Sequence, residues 1–186
     1  AGKSTLLRVV AGQEDPTAGR VLIGDADVTA VPAQSRDAVL VFQNYALYPH
    51  MSVRDNMSFA LRVAGVPDAE REQRVLEAAR LLDLTDRLDQ GPEELTGLQR
   101  QQVALARAVV RRPAVLLLDD PLATLPQDVK EHTVRLIRTL VRNLQVTALY
   151  ATVDPGPLGS VADRVLWLDA GRLIEDTADT DIHPAR

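Results

Sequence analysis

Residues 114–120 read AVLLLDD, five apolar residues closing on two carboxylates. An unbroken apolar run marks a strand buried on both faces, as strands of a parallel sheet are. An acid at the end of such a strand stands at the C-terminal edge of the sheet, where α/β folds bind ligands. The surroundings agree. Upstream, QRQQVALARAVV (99–110) predicts a helix stopped by Pro113. Downstream, Thr133, Leu136, Leu140 and Leu144, with Ile137 and Val141, form one stripe of a long helix. Two further strand segments follow, VTALYAT (146–152) and RVLWLDAGRLIE (164–175), the second a hairpin turning at Ala170-Gly171.

The same alternation extends toward the start of the chain. GKSTLLRVVAG (2–12) predicts a helix ended by Gly12, with Pro16 beyond it. GRVLIG (19–24) and DAVLVFQ (37–43) are short β-rich runs bounded by turn residues. Amphipathic helices are expected over residues 53–64 and 68–84, the second carrying Val75, Leu76, Ala79 and Leu82 at helical spacing. Strands alternating with helices predict an α/β fold with a mainly parallel sheet. The stretch 53–112 holds no convincing strand and reads as a helical insertion.

Composition bounds the function. The 186 residues are 46% hydrophobic and 25% charged, the balance of a single globular domain with a substantial core. A net charge of −5 lends no support to a nucleic-acid partner, which calls for a basic surface. Cysteine is absent, which excludes disulfides and thiolate metal sites. No apolar run approaches the roughly 18 residues of a membrane span. The chain begins on Ala1, inside a motif, and so reads as a fragment lacking its N-terminus.

AGKSTLL (1–7) is the second half of the phosphate-binding pattern G-x-x-x-x-G-K-[ST]. In that loop backbone N–H groups and a helix N-terminus cradle phosphate oxygens, the lysine reaches the β- and γ-phosphates, and the hydroxyl holds Mg²⁺. Lys3 and Ser4 occupy those positions. On its own the tripeptide is a weak signal, and its plain reading is an exposed helix start with Ser4 and Thr5 as polar first-turn residues. Asp119 is placed to orient Mg²⁺, and the next acid, Asp120, to polarise an attacking water. Gln43, ending LVFQ, is a candidate for the same shell, although a strand-end glutamine is usually solvated.

Taken together and in order, these segments resemble the nucleotide-binding subunit of ABC transporters over nearly the whole chain. GKST is half of that family's Walker A loop, VFQNYALYPHMSV (41–53) its Q-loop, and LTGLQRQQVALARA (95–108) its signature loop. VLLLDD (115–120) resembles Walker B, ATLP (123–126) the D-loop, and YATVD (150–154) the switch sequence Y-V-T-H-D. NYALYPHMSVRDN (44–56) is similar to subunits that energise carbohydrate importers of the maltose type. The resemblance implies a P-loop NTPase core with a mainly parallel sheet, an ABC-type helical subdomain near 53–112, and a central strand that would precede Ala1. It implies ATP and Mg²⁺ as cofactors. Nucleotide contacts fall on Gly2, Lys3, Ser4, Thr5, Gln43, Thr96, Gly97 and Gln99, metal contacts on Ser4, Gln43 and Asp119, and hydrolysis on Asp120 and Gln43. It also implies a second ATP-binding subunit in a homo- or heterodimer, integral membrane permease subunits, and a peripheral place at the cytoplasmic face of the membrane.

Four positions depart from the family pattern. Leu98 stands for the second glycine of the signature, Asp120 for the catalytic glutamate, Val153 for the switch histidine and Pro126 for the D-loop aspartate. In the family one subunit supplies the phosphate loop and Walker B while its partner supplies the signature. This chain alters both contributions, so any dimer containing it has two compromised sites, and binding is expected to survive better than fast hydrolysis. The competing expectations are an ATP-binding or regulatory protein with little turnover and a non-transport ABC protein.

Overall fold

The computed structural model describes residues 1–42, 46–123, 125–158 and 161–178. Its centre is a parallel three-stranded sheet in the order β3-β4-β5, formed by Ala38–Val41, Val115–Asp119 and Thr147–Ala151. The middle strand follows the reading of its apolar run: Leu116, Leu117 and Leu118 are fully buried, Leu116 and Leu118 in one core and Leu117 in the other. Burying each such side chain contributes about 1.5–3 kcal/mol.

Helix α1 (Lys3–Ala11) covers one face, placing Leu7 and Ala11 against Ala38, Leu117 and Ala151. The other face carries a larger cluster that joins Val41, Leu116 and Leu118 to α2 (Val53–Val63), α3 (Asp68–Leu81), α4 (Gly97–Val109) and, through Ile137 and Leu140, α5 (Gln127–Leu144). Among the described residues, no strand interrupts 53–112. Two antiparallel hairpins complete the chain, β1 (Leu22–Ile23) with β2 (Ala26–Asp27) and β6 (Arg164–Asp169) with β7 (Arg172–Ala178). The second turns on Ala170 and Gly171, both at positive φ (46° and 78°), the backbone a two-residue type I′ turn demands.

Boundaries differ from the sequence expectation where backbone conformation overrides pattern. Helix α3 ends at Leu81 rather than at 84, because Asp83 adopts a left-handed conformation (φ 54°). Helix α5 begins at Gln127, six residues before its apolar stripe, directly after Pro126, whose extended ψ of 154° cannot belong to a helix. The predicted strand at 19–24 shrinks to two paired residues.

The C-terminus of α1 is held by a buried cation. Arg36 is 2% exposed and donates from Nη1 to the Val9 and Val10 carbonyls (2.8 and 3.2 Å), from Nε to Val31 (2.7 Å) and from Nη2 to Thr29 (2.8 Å). The negative end of the helix dipole and these carbonyls stabilise the charge where a carboxylate usually would. Gly12 makes room for it: φ is 78°, and a Cβ there would lie 2.4 Å from Arg36 Nε. Arg36→Met should therefore lower stability by roughly 3 kcal/mol, the scale of leaving buried acceptors unmatched at about 1–3 kcal/mol each. Gly12→Ala should cost at least the ~1–2 kcal/mol of a left-handed residue with a Cβ. Urea unfolding midpoints at constant slope measure both, and a neutral Gly12→Ala would contradict this packing.

Candidate functional site

Of the sequence-predicted residues, Gly2, Lys3, Ser4, Thr5, Asp119 and Asp120 lie where α1 begins and β4 ends. Gly2 caps α1 in a left-handed conformation (φ 97°), exposed, and a Cβ on it would approach Gly171 Cα to 3.2 Å. The first turn of α1 contains no acid of its own, so its unpaired amides and the positive end of its dipole are not met by a carboxylate of the helix itself. Lys3 is half-buried, Thr5 is exposed, and Lys3 forms no ion pair among the described residues. Ser4 Oγ donates to Asp119 Oδ1 at 2.9 Å across 115 residues of sequence. A hydroxyl beside a carboxylate is the all-oxygen donor set that suits Mg²⁺, which takes one or two carboxylates and keeps several waters. A glycine-capped helix start and this oxygen pair together fit a Mg-nucleotide.

Asp120 leaves β4 in a left-handed conformation (φ 43°), one that aspartate enters several-fold more often than most residues with a side chain. Its amide donates to the Ala151 carbonyl (2.8 Å), and its Oδ1 accepts from Thr152 Oγ1 (3.0 Å). Thr152 in turn accepts the Asp154 amide (3.0 Å), and Lys130 Nζ lies 3.7 Å from Asp154 Oδ2. Thr152 was not among the residues the sequence singled out, although it sits inside the quoted YATVD. Val153, between these partners, is 78% exposed.

Gln43 lies outside the described residues, as does Tyr45. Thr96, Gly97 and Gln99 form a separate group at the N-terminus of α4, on the opposite face of the sheet from α1. Thr96 caps the helix by accepting the Gln99 amide (3.2 Å), and Gln99 Oε1 accepts the Thr96 amide (2.8 Å). Leu98, in the first turn of α4, has no positive φ. A side chain at 98 therefore meets no backbone penalty in this conformation, and the departure from glycine there is one of steric bulk.

A sizeable cleft lies elsewhere among the described residues, between β3 and α2 and α4. It encloses about 710 Å³ and is lined by apolar residues with Tyr48, Phe59, Arg74, Arg107 and Arg111. Residues 46–52 are secured to its rim by two side chains. Buried Asn56 accepts the Tyr48 amide (2.8 Å) and donates to the carbonyls of Tyr48, Met51 and Ser52. Arg107 of α4 donates to the Ala46 carbonyl and stacks over the Tyr48 ring at 4.5 Å, while burial lowers the pKa of its guanidinium.

Residues 1–123 match the ABC transporter family. The chain belongs to that family. Membership of the ABC family implies nucleotide binding. The chain is similar to the diacetylchitobiose uptake system ATP-binding protein of Streptomyces coelicolor, with 52% identity over 172 residues, 92% of this chain and 46% of that protein. It is also similar to the sn-glycerol-3-phosphate import ATP-binding protein of Cupriavidus necator, 48% identical over 92% of this chain and 47% of that protein. A third relative, the spermidine/putrescine import ATP-binding protein of Frankia alni, is 44% identical over 98% of this chain and 39% of that protein. The chain spans about half the length of the curated relatives it matches.

One titration reports on this site. Burial pushes the Tyr150 phenol well above the ordinary range, and the neighbouring Asp120 carboxylate adds to the rise. A raised folded pKa means that the folded state holds the phenol proton more tightly than the unfolded state. Its contribution to stability is therefore complete below about pH 10, the unfolded value, and is lost as pH rises beyond it. In an alkaline titration followed by phenolate absorbance, Tyr150 should ionise only above the ordinary range or together with unfolding. Tyr150→Phe should remove that late step, and a Tyr150 phenolate that appears near pH 10 in folded protein would contradict the burial.

Proposed function

We propose that the protein is the ATP-binding, ATP-hydrolysing subunit of an ABC importer. The observation that carries this reading is the Ser4–Asp119 hydrogen bond at the glycine-capped start of α1, in a chain of this family. Gly2, Lys3, Ser4 and Thr5 would bind the phosphates with the amides of the first turn, Lys3 placing its ammonium at the β- and γ-phosphates. Ser4 and Asp119 would hold Mg²⁺, with Gln43 as a further ligand. The bound cation supplies charge neutralisation of the phosphates. Asp120 and Gln43 would orient the attacking water. Thr96, Gly97 and Gln99, remote from α1, would serve the nucleotide of a second ATP-binding subunit.

The partners follow from the same reading. Among the described residues, no helix is long and apolar enough to cross a membrane, and the import role would join the protein to integral membrane permease subunits. We assign their docking to the cleft beside residues 46–52, with Leu47, Tyr48 and Pro49 nearest and the helical subdomain of 53–112 forming its far wall; Tyr45, the fourth residue expected at this contact, lies outside the described residues. This sets the protein against the cytoplasmic face of the membrane. The importer-like stretch 44–56 favours a carbohydrate cargo.

Binding should depend on Lys3. In the whole protein, Lys3→Ala should weaken Mg-ATP by at least ~1.4 kcal/mol, a tenfold change. Calorimetry that finds equal affinity would remove Lys3 from the site.

Turnover should be limited by geometry rather than affinity. Asp120 is one methylene shorter than glutamate, exposed Val153 offers no polar group, and Leu98 adds bulk to the signature. All three act where charge develops in the transition state, so their alteration lowers kcat more than it raises KM. Asp120→Glu, Val153→His and Leu98→Gly combined should raise steady-state ATPase beyond the product of their single effects, because residues acting as a unit are non-additive. Brisk hydrolysis by the parent, or full activity from Asp120→Glu alone, would end this account.

A further inference from the structure

We propose that Thr152 is a positioning residue for Asp120, an inference that rests on the ATPase reading above. Residue 120 is held at two points by the end of β5: its amide donates to the Ala151 carbonyl (2.8 Å) and its Oδ1 accepts the Thr152 hydroxyl (3.0 Å). The left-handed backbone at 120 aims the short side chain at this neighbour instead of along the strand. One carboxylate oxygen is thereby fixed. Oδ2 carries no hydrogen bond among the described residues, which leaves it as the oxygen able to orient a water. The arrangement repeats the logic of a base whose orientation is set by a third group.

Thr152 is itself constrained. Its oxygen accepts the Asp154 amide (3.0 Å), so its single proton is free for donation, and two acceptors compete for it: Asp120 Oδ1 at 3.0 Å and the Asp154 carbonyl at 3.3 Å. The charged acceptor is nearer and makes the stronger bond. When the carboxylate turns toward a water, the hydroxyl falls back on the Asp154 carbonyl, and no half-buried donor is stranded. Thr152 is thus a two-position rest for Asp120. It matters more here than beside a glutamate, because a shorter acid has less reach with which to correct a misplacement.

The test uses Thr152→Val, which keeps the shape and deletes the hydroxyl, and Thr152→Ser, which keeps the hydroxyl, each in the whole protein. Losing the rest displaces the carboxylate by less than the ~1 Å that costs about 10²-fold, so Thr152→Val should lower kcat about tenfold while KM for ATP stays within about twofold. Thr152→Ser should remain near the parent. In an Asp120→Asn background, Thr152→Val should have no further effect on the residual rate. A serine variant as slow as the valine variant, a rise in KM in place of the fall in kcat, or the same tenfold loss without Asp120 would each overturn the assignment. A second readout needs no nucleotide: the Asp120 ¹³Cγ resonance should shift in Thr152→Val and stay in place in Thr152→Ser, and an unmoved resonance also overturns it. Failure of the parent to bind Mg-ATP sinks the ATPase reading instead, so the two claims fail separately.

Discussion

Burial of Leu116, Leu117 and Leu118 holds β4 between two cores, and this fixes the height at which its carboxylates emerge. Side chains alternate along a strand, so a slip of one residue would send Leu117 into the wrong core and turn Asp119 away from Ser4. The register with β5 adds a second constraint. It sets Asp119 opposite Ala151, which brings the next residues on each strand, Asp120 and Thr152, within hydrogen-bonding reach. The polar geometry of the site is therefore inherited from apolar packing one or two residues earlier in the chain.

Much of this was legible in the sequence where the signal is local. The unbroken apolar run of β4, the glycine ending α1 and the Ala170-Gly171 turn each state a backbone requirement that few residue types meet. Ser4 and Asp119 were legible as a pair because the phosphate-loop and strand-end patterns each fix one residue relative to a secondary element. Arg36 was not, since its value lies in bonds to carbonyls 26 and 27 residues away, and nothing in RDAVL marks that arginine as buried. Thr152 was missed for a related reason: the switch sequence draws the eye to Val153, the altered position, and the working contact is one residue earlier. The overlong α3 shows the limit of periodicity, because Leu82 and Leu84 continue the apolar pattern while the helix itself has already ended.

The four departures from the family pattern differ physically. Leu98 sits in a normal helical turn and Pro126 begins α5 at a position where a missing N–H costs nothing. Asp120 accepts a left-handed backbone, a conformation aspartate enters more readily than most residues with a side chain. Only Val153, exposed and apolar, has no described role in the fold. Relatives whose names specify a chitin disaccharide, a phosphorylated triol and polyamines share 44–52% identity with this chain. Similarity over this region thus does not track the chemistry of the cargo in those names.

The buried guanidinium of Arg36 also has a consequence for how α1 melts. A helix ordinarily frays from both ends, but here the last turn is tied by charged bonds to two of its own carbonyls, while the first turn is held to β4, among the described residues, only by the Ser4–Asp119 bond and Gly2 lies exposed ahead of it. Opening of α1 is therefore one-sided and starts at Gly2 and Lys3, the residues that face the phosphates in the proposed site. An anion settling on those amides closes the one loose end of an otherwise pinned rod, so that occupancy of the site and completeness of the helix become the same event.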